Sequence, residues 1–319
     1  MTYSQYGKIE ATDYNTFAGN ASGASTTANA INTVWGIGTG KFGYGQVPVP
    51  SVAAGQTVAA TNWEALLTIA LSASSQQNTT ITAITAPTTG TTISYLSVLA
   101  SNLAAIYGSK NNASGQGTTL SSVYTHPTTW SNQLTVTHTC TFESADKARY
   151  FFNCGGQLAL NFVHPTGSGI NGLISSMASA CGTITISLPD TGTVSIAGTS
   201  FAGVSKVGGS GTVNTLTAGA GYYGLTTSNQ TIFKQIATTG SPAGYVNSFL
   251  SVSARSNGVS GSNGDNGSII YITTVWDEVP DGLPISIGTK TTLNVRYPAT
   301  SYLANSWGTV SVVATATGS

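Results

Sequence analysis

Charge is what this sequence has least of. Ten Lys and Arg and ten Asp and Glu make up 6% of 319 residues and sum to zero, against roughly 25% charged in an average soluble domain. A basic footprint for nucleic acid or an anionic membrane surface is thereby excluded. Surface helices laced with ion pairs are disfavoured by the scarcity of Lys and Glu. No apolar run approaches ~18 residues, so nothing is expected to span a membrane. Cysteine is also scarce. Cys140, Cys154 and Cys181 are odd in number and have no CxxC spacing, which argues against zinc and for buried small hydrophobes. The start MTYSQYGKIE has neither the basic nor the apolar region of a secretory signal, so a reducing cytoplasm is the expected folding compartment.

Catalytic signatures are missing as well. There is no GxSxG and no GxxxxGK[ST], and His126, His138 and His164 lack metal-ligand spacing. The stretches Gly38 to Gly43 and Gly219 to Gly224 both satisfy GxGxxG, but neither follows a clear strand and opens a helix. With 38 glycines such matches arise by chance. No cofactor is expected.

What the chain has in quantity is Ser, Thr, Asn and Gly, together with 14 Tyr, 9 Phe and 40% hydrophobic residues. That is too apolar for disorder and suits β-sheets with hydroxylated faces. The clearest stretch is Thr129 to Pro165. Leu134, Val136, His138, Cys140 and Phe142 alternate with Thr135, Thr137, Thr139 and Thr141, the period of a strand with one apolar face. A charged turn at Glu143 to Lys147, a resumption at Arg149 and a pause at Gly155-Gly156 read as a hairpin whose second strand carries a glycine bulge.

Upstream, the patterns are helical. Tyr14 and Phe17 share one face after a cap at Thr12 or Asp13. Ala28 to Trp35 forms a second short helix stopped by Gly36. Thr61 and Glu64 cap a stripe of Trp63, Leu66, Leu67, Ala70 and Leu71, and a further helix is expected over 92–107. Ala-Thr-Asp-Tyr-Asn at 11–15 is echoed by Ala-Thr-Asn-Trp-Glu at 60–64. The polar stretch from Gly108 to Thr129 reads as linker. Downstream, 169–180 reads as a helix, and strands are expected at 183–188 and 193–197, joined by a turn at Pro189 to Gly192, and at 246–255, 268–276, 290–296 and 308–316, with hairpin chemistry at Asn263 to Gly267 and 232–237 helix or strand. The fold class is therefore α+β: a small helical N-terminal docking domain over 1–128, then a mainly antiparallel β-sandwich domain over 129–319.

Two groups of side chains are candidates for a ligand or subunit contact. Asp277, Glu278 and Asp281 close a strand and are the residue types of a hard-cation site or a glycosidase acid–base pair. A Pro-Asp-Gly turn with solvated acids is the better account of them. Tyr222 and Tyr223 in a glycine loop, and Tyr302 with Trp307, are aromatics that could stack on sugars or on another chain. For Trp307, which precedes a strand, the core is the better reading.

The phrases IEATDYNTFAG, NAINTVWGIGTGKFGYGQ, VAAGQTVAATNWEALL, ARYFFNCGGQL and YLANSWGT resemble virion structural proteins of tailed bacteriophages, cyanophages in particular. The resemblance implies a non-enzymatic particle component present in symmetric copies and assembled in the host cytoplasm. The reading taken from it is a tail-associated fibre or fibre adaptor, as a homotrimer bound to other virion proteins. A capsid decoration protein or head fibre is the alternative within that class. A host-attachment adhesin that binds a surface glycan is the alternative from another class. A polysaccharide depolymerase would need long repetitive β-helical sequence, which is absent.

Overall fold

The computed structural model describes residues 10–19, 28–90, 93–237, 243–258, 265–280 and 282–318. The N-terminal part is helical: α1 (Ala11–Ala18), α2 (Ile31–Trp35), α3 (Ala60–Gln77) and α4 (Leu96–Gly108). The two echoing phrases meet in space, for Tyr14 of α1 lies edge-on to Trp63 of α3 with ring centroids 5.2 Å apart. The caps differ from expectation. Glu10 precedes α1 and Ala59 precedes α3, where Asn62 Oδ1 accepts the Ala59 N–H at 2.9 Å. Asparagine amides clamp the extended segments between these helices. Asn15 grips Val52 by both its N–H (2.9 Å) and its carbonyl (2.8 Å), Asn32 grips Val49 likewise (2.8 Å each), and Asn102 holds Thr82 (2.9 and 2.8 Å). Each clamp satisfies backbone groups that no strand partner reaches.

The β part contains β1 (Gln116–Thr125), β2 (Gln133–Phe142), then α5 (Ala145–Asn153), β3 (Gln157–Val163) and α6 (Gly169–Cys181). It continues through β4 (Thr183–Ile186), β5 (Val194–Ile196), β6 (Thr199–Phe201), β7 (Val204–Val207) and β8 (Thr215–Leu216). The remaining strands are β9 (Gln230–Ile236), β10 (Phe249–Ser256), β11 (Ile269–Asp277), β12 (Lys290–Pro298) and β13 (Val310–Gly318). One antiparallel sheet runs β1-β12-β3-β4-β7 and a second runs β13-β2-β11-β10-β9-β8, with β5-β6 a separate ribbon. The α+β, sandwich-like architecture is as expected.

The alternation in β2 works as written: Leu134, Val136, His138, Cys140 and Phe142 are buried, and the threonines 135, 137 and 139 only half so. Trp276 of β11 ties the layers together, edge-on to Phe162 of β3 at 6.1 Å and donating from Nε1 to Thr291 of β12 at 3.2 Å.

Three expectations are corrected. The stretch after β2 is no hairpin, because Ser144 caps the helix α5 (its Oγ accepts the Lys147 N–H at 3.1 Å) and the chain crosses to the other sheet. Gly155 is therefore a helix-terminating residue at φ 96° and not a bulge. The polar 108–129 stretch is not a linker, since β1 pairs antiparallel with β12 as an edge strand, where both faces can stay hydroxylated. The strands around Pro189 do not pair with each other: β4 lies between β3 and β7, and β5 pairs with β6. The segment 232–237 resolves as strand β9, and β10 and β11 pair antiparallel as expected.

Candidate functional site

The acids at the end of β11 do not converge. Asp277 points to the outer face and accepts from Gln133 Nε2 at 2.7 Å. Glu278 is buried, and its carboxylate accepts three backbone N–H groups, from Asn132 (3.2 Å), Leu283 (3.0 Å) and Gly282 (3.4 Å). It thereby pins the loop before β2 to the loop before β12, which Trp130 and Ile285 also join through paired backbone bonds of 3.1 and 2.7 Å. Asp281 lies outside the described residues. Among the described residues no group of three or more His, Cys, Asp or Glu could hold a metal ion.

The aromatics separate too. Tyr222 is a core residue and not an exposed platform. It stacks on Phe152 at 4.5 Å and donates to the Gly267 carbonyl at 3.1 Å. Trp307 is buried as preferred, while Tyr302 is 46% exposed. Tyr223 donates its hydroxyl to Asn153 Oδ1 at 2.9 Å. Burial pushes both tyrosine hydroxyls well above their ordinary range.

The densest polar cluster was not foreseen. It forms where residues 41–46 thread between α5 and the loop before β13. Arg149 of α5 is fully buried; it donates to Asp146 Oδ1 at 2.8 Å and to the Phe42 carbonyl, and its guanidinium lies 4.7 Å from the Tyr150 ring centre. Asn153 donates to the Gly43 carbonyl at 2.8 Å. Tyr44 donates to the Lys110 carbonyl at 2.8 Å and receives Gln77 Nε2 at 2.9 Å. Gln46 clamps Ala304 through both backbone groups at 2.9 Å. Lys41 pairs with Asp190, whose carboxyl it holds below the usual range, and lies 5.5 Å from the Tyr223 ring centre. The first GxGxxG thus presents carbonyls to Arg149 and Asn153. A phosphate cradle would present N–H groups instead. No cavity large enough for water opens among these residues.

His164 Nδ1 lies 2.9 Å from Thr289 Oγ1, and its Nε2 lies 3.1 Å from Asn171 Oδ1 and 3.5 Å from Ser286 Oγ. Asn171 Oδ1 also accepts the Ser286 N–H at 2.8 Å, which fixes the amide orientation. The His164 proton therefore sits on Nε2, directed at Asn171, and the ring cannot take a proton from Ser286. His126 sits between Tyr124 (3.1 Å) and Thr128 (3.2 Å). Burial lowers the pKa of both. A groove of about 340 Å³ beside the start of α6 is lined by Thr166, Ser168, Leu173, Ser175, Ser176 and glycines, without a charged group.

No helix among the described residues is long and apolar enough to cross a membrane. Comparison of the chain with protein-family models, with curated proteins and with solved structures finds no match.

Proposed function

We propose that this chain is a non-enzymatic structural component of a tailed-phage virion, tail-associated as a fibre or fibre adaptor and present in symmetric copies. The observation that carries the reading is the outer face of the six-stranded sheet. Across β13, β2 and β11 the outward residues are Ser311, Val313, Thr315 and Thr317, then Thr135, Thr137, Thr139 and Thr141, then Ile269, Tyr271, Thr273, Val275 and Asp277. Asp277 is the one charge among them. On β10 and β9 the cations are laid flat, Arg255 3.7 Å from the Tyr271 ring centre and Lys234 3.7 Å from that of Phe249. Threonine hydroxyls pair laterally, as between Thr137 and Thr273 at 3.1 Å.

A wide face of hydroxyls and β-branched carbons, almost without charge, suits lasting contact with neighbouring chains better than solvation of a free monomer. The phrases that resemble those of phage structural proteins support the same reading. Labelling purified particles with antibody against the chain tests it. Label on the tail is the expected result. Label on the capsid would overturn the tail position, and unlabelled particles would overturn the reading altogether.

A further inference from the structure

The two flanks of the sandwich are finished differently. At one, β7 and β8 end their sheets and are joined by the Val204 N–H to the Ala218 carbonyl at 3.0 Å, and β8 is two residues long. At the other, β13 and β1 end their sheets with long strands of nine and ten residues. There, among the described residues, the Tyr297 hydroxyl accepts the Val310 N–H at 2.9 Å, and no backbone group bonds β13 from its outer side. Soluble proteins guard such edges with Lys, Pro, a bulge or a very short strand. The run Val310-Ser-Val-Val-Ala-Thr-Ala-Thr-Gly318 has no charge and no proline, and its register on β2 is unbroken. Its inward residues Val312, Ala314 and Ala316 are only half-buried. Val313 is 60% exposed on the outer face, and Leu120 of β1 is 40% exposed in the facing layer.

We propose that two copies of this chain associate through β13, edge to edge and antiparallel, so that the two six-stranded sheets become one continuous sheet. The strand is self-complementary. With Ala314 on the two-fold axis, Val313 faces Thr315, Ser311 faces Thr317, Val312 faces Ala316 and Val310 faces Gly318. All nine residues are used, inward positions meet inward positions, and no like charges oppose. Alternate residues of β13 already bond to β2, and the others carry outward N–H and C=O groups; the Val310 N–H already donates to the Tyr297 hydroxyl at 2.9 Å, and the partner strand would satisfy the rest. The contact is isologous, so it gives a dimer or an even-numbered assembly in place of the homotrimer expected for a fibre. It does not depend on the particle reading, because it concerns the purified chain alone.

The test is the mass in solution of the full-length chain at micromolar concentration, by light scattering or sedimentation. Wild type is expected to be a dimer. Val313→Lys with Thr315→Lys sets lysines opposite each other and should give a monomer with unchanged circular dichroism. Val313→Glu with Thr315→Glu should do the same, and mixing the two variants should restore a heterodimer, visible by native mass spectrometry. A wild-type monomer or trimer overturns the proposal, as does a double-lysine variant that associates like wild type or a mixture that stays monomeric. Because the rescue requires both variants to be folded, a variant that failed only by unfolding would be recognised from its spectrum, and the other charge pair (Ser311 and Thr317, substituted in the same way) then decides.

Discussion

His138 offers the sharpest quantitative handle on the sandwich core. It lies on the inward face of β2, with Ile272 of β11 and Ala314 of β13 as its lateral neighbours, and is fully buried. Neither ring nitrogen has a hydrogen-bond partner of good geometry. Burial pushes its pKa down from 6.5 to about 4, offset in part by the nearby Ser122 backbone. Above pH 6.5 the ring is neutral in folded and unfolded chains and pH has no hold on it. Between 6.5 and about 4 only the unfolded chain takes up the proton, so stability falls steadily as pH falls, and below about 4 the full penalty is in place. The difference in pKa corresponds to on the order of 3 kcal/mol.

His138→Leu keeps the volume and removes the titration. Urea unfolding of both proteins at a series of pH values from 7.5 to 4 reads the difference directly. Other groups titrate in both proteins, among them Glu143 and Asp190, whose pKa values are lowered, and cancel in the comparison. The stability gap should widen toward acid by about that amount. Parallel pH profiles would refute the burial of His138 and with it the inward register of β2.

Three further outcomes follow from particular contacts. Gly155→Ala should cost roughly 3 kcal/mol or more in thermal or urea unfolding, since φ is +96° and the new Cβ would lie 2.3 Å from that of Ala113. Gly90→Ala, with φ +87° and open space around it, should cost only about 1 kcal/mol, and equal losses would contradict the close approach. Glu278→Gln should destabilise by on the order of 2 kcal/mol through its three backbone donors, while added Ca²⁺ should leave the wild-type melting temperature unmoved; a calcium-dependent rise would return the acids to a cation role. All three thiols are buried, those of Cys140 and Cys181 pushed up to about 12 and that of Cys154 also raised by burial. A thiol reagent should therefore titrate none in the native protein and three in denaturant.

The elements that could be read from sequence are those whose burial is one-sided. Trp63, Leu66 and Ala70 of the α3 stripe, the leucines of α4, and the alternation in β2, β10 and β11 each report a single buried face, whereas Leu71, expected in that stripe, is 60% exposed and Leu67 half-buried. The failures have physical causes. In β1 both faces are wet, so Thr118 to Thr125 shows no apolar period, although its β-branched and tyrosine content was a usable strand signal. In α5 four charges within seven residues suggested a turn. Yet Ser144 followed by Ala145, Ala148, Phe151 and Phe152 on the buried side is a capped helix, and the burial of Arg149 hid that pattern. The polar cluster joins residues as distant as Gln46 and Ala304, or Asn153 and Tyr223, by hydrogen bonds that leave no local trace in sequence. Of the acids, Asp277 and Glu278 are sequence neighbours that point to opposite sides of a strand end, which period two alone would have separated.

The claim that this charge-poor, hydroxyl-faced chain is a building block of a particle is met most directly by quantitative mass spectrometry of purified virions. The account predicts the chain as an intact, multi-copy constituent that stays with the particles through density-gradient purification. Its absence from the particle band, with the chain recovered free in the lysate, would contradict it.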